Sequence, residues 1–176
     1  EITGRKKDGS IFPAEAGISK IELGGTLRYT AFLRDVTERR QAEEEIQRLS
    51  EAVKQSPASV VITDKKGTIE YVNPKFELLT GYTSAEVLGK NPRILNAGVQ
   101  PREFFQELWE TILAGRMWRG EMCNRKKNGD LYWESVSISP VTDHDGAIDK
   151  FVAIKEDITE RKAAEEELAL LNQLVH

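Results

Sequence analysis

Stretches rich in β-branched and aromatic residues, bounded by turn residues, predict five β-strands in the second two-thirds of the chain. They cover residues 59–64, 68–72, 117–125, 131–141 and 148–157. Between the second and third strands, apolar residues recur at helical spacing from Pro101 to Gly115, as in a helix laid on a sheet. Its apolar stripe comprises Phe104, Phe105, Leu108, Trp109, Ile112 and Leu113. This order of elements predicts an α+β domain, a five-stranded antiparallel sheet with its helices on one face.

Two shorter helices are predicted before the long one. Asn73 followed by Pro74 is typical of a helix start, because asparagine caps the first turn and proline fits the first helical position. Gly81 should end that helix, and Ser84 should cap a further turn that ends at Gly89.

An internal repeat divides the chain. Residues 4–21 are similar to residues 124–141, and residues 35–53 are similar to residues 157–175. The second copy has a full upstream half and the first has none, so four segments are predicted. They are the closing part of a truncated first domain (1–37), a linker helix (38–55), a complete domain (56–159) and a C-terminal signalling helix (160–176).

The two repeated helices each carry an apolar seam with 4-3-4 spacing, which is typical of a coiled coil. The seam positions are Ala42, Ile46, Leu49 and Val53 in the first helix, and Ala164, Leu168, Leu171 and Val175 in the second. About two heptads are too short to pair without help from neighbouring domains. We expect homodimer contacts through these helices; the alternative is that each helix folds back over its own sheet.

Composition excludes several functions. The net charge of -4 argues against general nucleic-acid binding, and no apolar run reaches the roughly 20 residues of a membrane-spanning helix. A single cysteine excludes an internal disulfide and fits a reducing compartment, so we expect a cytoplasmic location. The sequence starts at a glutamate and not a methionine, and we expect it to be a piece of a longer protein.

Three polar side chains are predicted on the inner face of the sheet. The alternation that points the apolar residues of the last three strands towards the helices also points Asn124, Glu134 and Lys155 inward. Buried polar groups need partners, and the predicted hairpin would place Glu134 opposite Lys155. The first copy has Ala14 and Leu33 at these two positions, so the fold does not require the pair. A plain ion pair and a role in holding a ligand both remain open.

The runs TDKKGTIEYVNPKFELLTGY and NRKKNGDLYW, with the closing DIT at residues 157–159, resemble the PAS family and its C-terminal PAC motif. The resemblance covers residues 56–159 in full and 1–37 in part. It implies a PAS fold and a ligand-sensing or dimerising module of bacterial signalling proteins. It implies no catalysis within this segment.

The run GKNPRILNAG occupies the place of the flavin-binding motif of LOV photoreceptors, but Pro92 stands where their reactive cysteine would be. Cys123 is predicted on the strand face opposite Asn124, so a thiol adduct with flavin is not expected. A closer similarity, through NPRIL, QPR and LW, is to flavin-binding PAS domains of redox sensors such as the FAD-containing regulators of nitrogen fixation. It implies FAD in preference to FMN. The candidate cofactor-binding residues are Asn91, Asn96, Arg102, Trp109, Trp118, Asn124, Glu134 and Lys155.

Haem, the other cofactor that this family uses, is not expected. It needs an axial ligand over the sheet, whereas His144 falls in a predicted hairpin turn and His176 at the C-terminus. No cluster of histidine and cysteine suggests a metal site.

We therefore interpret the chain as a sensory module that detects a redox or light state through a non-covalently bound flavin. A dimeric helix would relay the signal to an output domain outside this sequence. The alternative is a ligand-free or small-metabolite PAS module that dimerises and relays signals in a histidine kinase or diguanylate cyclase. The segment itself is not expected to be an enzyme, and no motif in it identifies the output of the parent protein.

Overall fold

The chain folds into two compact units, one ending at Glu51 and the other beginning at Ala52. The structure, a computed structural model, describes residues 2–174. No helix within that range combines the length and the apolar character that crossing a bilayer requires.

The first unit is a three-stranded antiparallel sheet followed by a helix. Its elements are β1 (Ile2–Arg5), β2 (Ile11–Leu23), β3 (Thr26–Asp35) and α1 (Thr37–Lys54), with the strands paired in the order β1-β2-β3. The last three residues of α1, from Ala52 on, belong to the second unit. Ala14 and Val36 are the buried apolar side chains among its described residues. Ile18, Tyr29 and Leu33 are exposed on this sheet. The equivalent face of the complete unit is covered by helices that precede the last three strands.

The second unit is a five-stranded antiparallel sheet with short helices on one face. Its strands are β4 (Ser59–Asp64), β5 (Ile69–Val72), β6 (Trp118–Arg125), β7 (Leu131–Thr142) and β8 (Ile148–Asp157), in the spatial order β5-β4-β8-β7-β6. Its helices are α2 (Pro74–Thr80), α3 (Ser84–Val87), a 3₁₀ turn (Pro92–Leu95), α4 (Arg102–Leu113) and α5 (Thr159–Leu174). The predicted α+β class, antiparallel sheet and flanking amphipathic helices are confirmed.

Two apolar clusters fill the space between the sheet and the helices. One packs Phe76 and Val87 of α2 and α3 against Val61 of β4, and the other packs α4 against the inner faces of β6 to β8. Ile138 of β7 contacts both clusters. Leu113, predicted to be part of the apolar stripe, is exposed because the last residue of α4 points away from the sheet.

Asn73 ties the start of the second unit together. Its Oδ1 accepts from the backbone N–H groups of Phe76, as an N-cap, and of Val60. Its Nδ2 donates to the carbonyl oxygens of Ala58 at 2.9 Å and Val53 at 3.2 Å. The predicted cap is confirmed, and this fully buried side chain also joins α2 to β4 and to the end of α1.

Two local predictions are wrong. The N-cap of α3 is Thr83 and not Ser84, and the Glu86 carboxylate accepts from the Thr83 N–H at 2.9 Å. The β7–β8 pairing has a register shift at residues 141/142, so Glu134 lies opposite Asp157 and not opposite Lys155. The observed pairing differs from the predicted one by two residues, so each side chain keeps its predicted face. Strand alternation predicts faces and not pairing partners, so it could not reveal this difference.

α5 is attached to the sheet immediately after β8 ends. The Thr159 Oγ1 accepts from the Trp133 N–H at 3.0 Å, and the Ile158 N–H donates to the Trp133 carbonyl at 2.9 Å. Asp157 accepts from both the N–H and the hydroxyl of Thr159. The first unit has the same Asp35–Thr37 arrangement, but Pro13 replaces the tryptophan and has no N–H to donate.

The hydroxyl-to-strand bond can be tested with matched threonine variants. Thr159→Val should leave the half-buried Trp133 N–H without its acceptor and lower the free energy of unfolding of the second unit by about 1 kcal/mol. Thr37→Val removes the same bond to aspartate but no bond to a strand, and it should cost its own unit less. Chemical denaturation and hydrogen exchange at the Trp133 amide measure the difference. Equal costs and unchanged exchange at Trp133 would show that this bond contributes nothing.

Candidate functional site

A cavity of about 520 Å³ lies between the inner face of the sheet and the helices of the second unit. Small-molecule sites in proteins typically span roughly 300–1,000 Å³. Most of its wall is apolar, contributed by β4, α4 and the last three strands. These residues are Val61, Phe105, Leu108, Trp109, Ile112, Met122, Val136, Ile138, Phe151 and Ala153. The cavity therefore has the size and the apolar walls that suit a small organic ligand.

A buried network of charged and polar side chains closes one end of the cavity. Glu134 Oε1 accepts from Asn124 Nδ2 at 2.7 Å and from Lys155 Nζ at 2.6 Å. The Glu134 side chain is 1% exposed and that of Lys155 is 8% exposed. Asn124 and Lys155 line the cavity, and Glu134 lies behind them. The expected ion pair is present, formed diagonally across the strands and shared with an amide.

Three oxygen atoms around this network are buried and have no hydrogen-bonding partner among the described residues. They are Glu134 Oε2, the Tyr132 hydroxyl and the Ser59 hydroxyl. Ser59 of β4 lies opposite Lys155 of β8. Burial, and after it the charge of Glu134, raise the pKa of Tyr132, so its phenol stays protonated and remains a donor. A buried polar group costs roughly 1–3 kcal/mol when nothing satisfies it.

The other end of the cavity is its mouth, where the β4–β5 turn meets the 3₁₀ turn. Lys66 and Arg93 line it and are exposed, which gives the mouth two positive charges. Gly67 has a φ of +83°, and a Cβ at this position would lie 2.9 Å from Asn91 Nδ2 and 3.0 Å from the Trp109 ring. Glycine is therefore required both for the turn and for the close approach of these two side chains.

The outer edge of the cavity is formed by a loop laid along β6. Asn96 forms a backbone bridge with Asn124, and its side chain accepts from the Gly98 N–H. The Gln100 amide, oriented so that both of its groups are satisfied, pairs with the backbone N–H and carbonyl of Cys123. Cys123 itself is buried and does not line the cavity, and burial raises the pKa of its thiol.

Five of the eight candidate residues line this cavity: Asn91, Asn96, Trp109, Asn124 and Lys155. Glu134 contacts two of them from behind. Arg102 lies on the exposed first turn of α4, and Trp118 packs in the core with its ring 5.3 Å from that of Phe104. Neither Arg102 nor Trp118 lines the cavity.

Several cavity residues were missing from the candidate set. Val61 and Thr63 of β4 face inward, and Lys66, Gly67 and Arg93 form the mouth. Extending strand alternation to β4 would have found Thr63, a polar residue on the same face as Val61. The mouth residues lie in turns, where no periodicity indicates which way a side chain points.

The fold and this cavity define a PAS sensory domain. The family model described as PAS domain matches residues 1–38 and 57–160, and the chain belongs to that family. It is 36% identical over 116 residues to the nitrogen fixation regulatory protein of Klebsiella oxytoca, which covers 66% of the chain and 23% of that relative. It is 31% identical over 133 residues to blue-light-activated histidine kinase 1 of Erythrobacter litoralis, with 72% of the chain and 37% of the kinase covered. The chain thus spans about a quarter of the first signalling relative and somewhat more than a third of the second.

Solved structures show the same fold. The structure of an RNA-binding light-oxygen-voltage receptor aligns with a TM-score of 0.68 at 23% identity, covering 93% of this chain and 44% of the receptor. At this identity the likeness concerns the fold alone.

The close approach at the mouth can be tested with two glycine variants. Gly67→Ala and Gly129→Ala both place a Cβ on a turn residue with positive φ, +83° and +97°. Gly129 has nothing within 4 Å of the added atom, so its variant should cost only the backbone strain, roughly 1–2 kcal/mol. Gly67→Ala should cost at least about 1 kcal/mol more, because the Trp109 ring or Asn91 must move. Denaturation curves and tryptophan fluorescence check this; equal costs with unchanged fluorescence would contradict it.

Proposed function

We propose that the second unit senses a redox or light state through a flavin held non-covalently in the cavity. The observation that carries the proposal is the combination of apolar walls with a polar network at one end and two cations at the other. An isoalloxazine ring has apolar faces and a polar edge of carbonyl and N–H groups, and its side chain ends in phosphate. The polar network faces the edge of such a ring, the apolar walls face the ring itself, and the two cations at the mouth face the phosphates.

Each role falls to particular residues. Trp109 and the inner-face aliphatic residues would hold the faces of the ring. Asn124 and Lys155 would bind its polar edge, and Lys66 and Arg93 would bind the phosphates. A bound flavin supplies reversible redox chemistry and visible absorption. The protein contributes binding, orientation and exclusion of water.

FAD is proposed in preference to FMN. The mouth carries its two cations on the exposed surface, which suits a diphosphate that continues out of the cavity. Arg102, on the exposed first turn of α4, is a candidate contact for the part outside. The resemblance of the NPRIL, QPR and LW runs to FAD-containing regulators of nitrogen fixation supports the same choice. A thiol adduct with the flavin would need a cysteine in the cavity, but Pro92 lines it and Cys123 does not. Redox sensing is therefore favoured over adduct-based light sensing.

A ligand-free relay module is the second candidate. It is favoured by one feature of the polar end, namely that Glu134 accepts from both Asn124 and Lys155, so the buried ion pair is formed within the protein itself. In that case the network serves as a buried ion pair, and the flanking helices carry the function.

The visible absorption spectrum of the purified chain separates the two candidates. With flavin bound, Asn124→Ala should lose a directional hydrogen bond and retain about tenfold less cofactor, and Trp109→Ala should weaken retention by removing an apolar wall. Trp133→Ala is the control, because Trp133 lies on the opposite face of β7 and should leave the flavin content unchanged. A colourless protein that takes up no added FAD would reject the flavin proposal.

For the relay, we propose that β6 and β7 pass changes in the cavity to α5. Glu121 on the outer face of β6 contacts Arg161 at 2.7 Å and Lys162 at 2.6 Å, and the Lys162 ammonium lies 5.1 Å from the centre of the Trp133 ring. These contacts hold only the first turn of α5, while its remaining described residues are exposed. One face of β6 therefore lines the cavity, and its other face contacts α5.

The seam of α5 is proposed to pair with a second copy, ahead of an output domain such as a histidine kinase or diguanylate cyclase. The proposed segments are 1–37, 38–55, 56–159 and 160–176, supported by the two family matches. Leu168 and Leu171 are exposed, as the seam requires, and Ile46 and Leu49 are exposed on α1. The last seam position, Val175, lies outside the described residues.

The dimer proposal has an internal control on the same helix. Leu168, Leu170 and Leu171 are 60%, 58% and 53% exposed, but Leu170 is off the seam. Leu168→Asp with Leu171→Asp should weaken self-association at least about tenfold, because charges would face each other across the seam. Leu170→Asp should leave association unchanged. Sedimentation velocity at several concentrations measures both; a wild-type chain that stays monomeric throughout rejects the dimer.

A further inference from the structure

The segment that closes the outer edge of the cavity has no buried residue. This segment, residues 96–101, is called the strap here; it joins the 3₁₀ turn to α4 and runs along β6. All of its residues are exposed or half-buried. The chain on either side is fixed in the core, because Leu95 and Leu108 are buried in the two apolar clusters. The strap is therefore a short exposed span between two fixed ends.

The strap contacts the sheet at Asn96 and at Gln100. Asn96 lines the cavity and forms a backbone bridge with Asn124. The Gln100 side-chain amide accepts from the Cys123 N–H at 2.9 Å and donates to the Cys123 carbonyl at 3.2 Å. β6 is an edge strand, so the backbone groups on its outer side need a partner from outside the sheet. The Gln100 amide takes the place of a neighbouring strand at this one residue.

The bend between these two contacts is made by the strap itself. Gly98 has a φ of +76°, and a Cβ added there would have nothing within 4 Å. Its N–H donates to the Asn96 side chain at 2.8 Å, a bond within the strap. No packed side chain therefore restrains the bend, and a strap that lost the Gln100 bonds would keep the bridge at Asn96 as its described contact with the sheet.

The mouth, by contrast, is narrowed by packed side chains. Asn91 Nδ2 and the Trp109 ring would lie 2.9 Å and 3.0 Å from a Cβ on Gly67, so the turn and these two side chains approach closely. Trp109 also contacts Phe151 of the sheet, with the ring centres 6.0 Å apart. A segment with an exposed backbone and no buried side chain opens at a lower free energy than packed elements do. The strap is therefore the part of the wall that opens most readily.

We propose that the strap is a gate through which the ligand enters and leaves the cavity, and that Gln100 holds this gate closed. The identity of the ligand rests on the proposed flavin, whereas the motion of the strap does not. Gln100 does not line the cavity, so its bonds are made equally with and without a ligand. They therefore slow entry and release by the same factor and leave the affinity unchanged, as long as the closed strap predominates.

The motion is tested first in the flavin-free wild-type chain, by amide hydrogen exchange at low urea concentrations. The Cys123 amide, which bonds Gln100, is compared with that of Ala153 in the central strand β8. The protection factor of Cys123 is expected to be at least about tenfold lower and almost independent of urea, because opening the strap exposes little surface. Equal protection of both amides, with the same dependence on urea, would show that the strap opens only when the unit unfolds and would overturn the gate.

The second experiment follows the binding and release of FAD by stopped-flow flavin fluorescence. Gln100→Met keeps the length of the side chain but has neither the N–H donor nor the carbonyl acceptor. Association and dissociation should both become at least about tenfold faster, with the Kd unchanged to within about twofold. Gln106→Met is the matched control, because the Gln106 amide bonds Glu110 on the exposed face of α4. It should leave both rates as they are.

The outcomes separate the gate from the proposed function. Faster dissociation with unchanged association, and hence a higher Kd, would mean that Gln100 only stabilises the bound form and would overturn its role at the gate. Unchanged rates in Gln100→Met would overturn it as well. Failure of the wild type to bind FAD would overturn the proposed function, and the exchange at Cys123 would then decide by itself whether the strap opens.

Discussion

The antiparallel register between β7 and β8 is the constraint on which the rest of the second unit depends. Side chains alternate between the faces of a strand, so a slip of β7 by one residue would turn Glu134 towards solvent and Trp133 inward, while Lys155 of β8 kept its face. In the observed register Glu134 lies opposite Asp157 and reaches Lys155 diagonally. The same pairing brings the end of β8 beside Trp133, where α5 begins. One alignment of two strands thus sets both the polar end of the cavity and the attachment of the helix.

The polar end has no explanation in stability. Taking a carboxylate and an ammonium out of water costs several kcal/mol per ion, and apolar residues in the same places are often as good or better for folding. The first repeat has such residues, Ala14 and Leu33, on strands of the same pairing pattern. A network that the fold does not require, placed where it borders a cavity, is best understood through what it binds.

Of the sequence patterns, the alternation of side chains along the strands predicted most of the candidate site. It placed Asn124, Glu134 and Lys155 on the inner face correctly, even though the expected register was wrong, because a shift by two residues preserves the face. Periodicity could not assign the mouth, since Lys66 and Arg93 lie in turns from separate parts of the chain. Motif position was also insufficient for Arg102 and Trp118, whose surroundings depend on where α4 starts and how it packs.

The two helix junctions differ in how the helix is attached to the sheet. Both have the aspartate–threonine arrangement, but only the second bonds the threonine to a strand N–H, because the first has Pro13 at that position. Trp133 stands between Tyr132 and Glu134, so it shares its strand with the polar end of the cavity while facing outward. A rearrangement around Glu134 that shifts the β7 backbone must therefore shift the atoms that hold Thr159. The proposed relay from the cavity to the helix would therefore pass through one strand, from Glu134 to its neighbour Trp133.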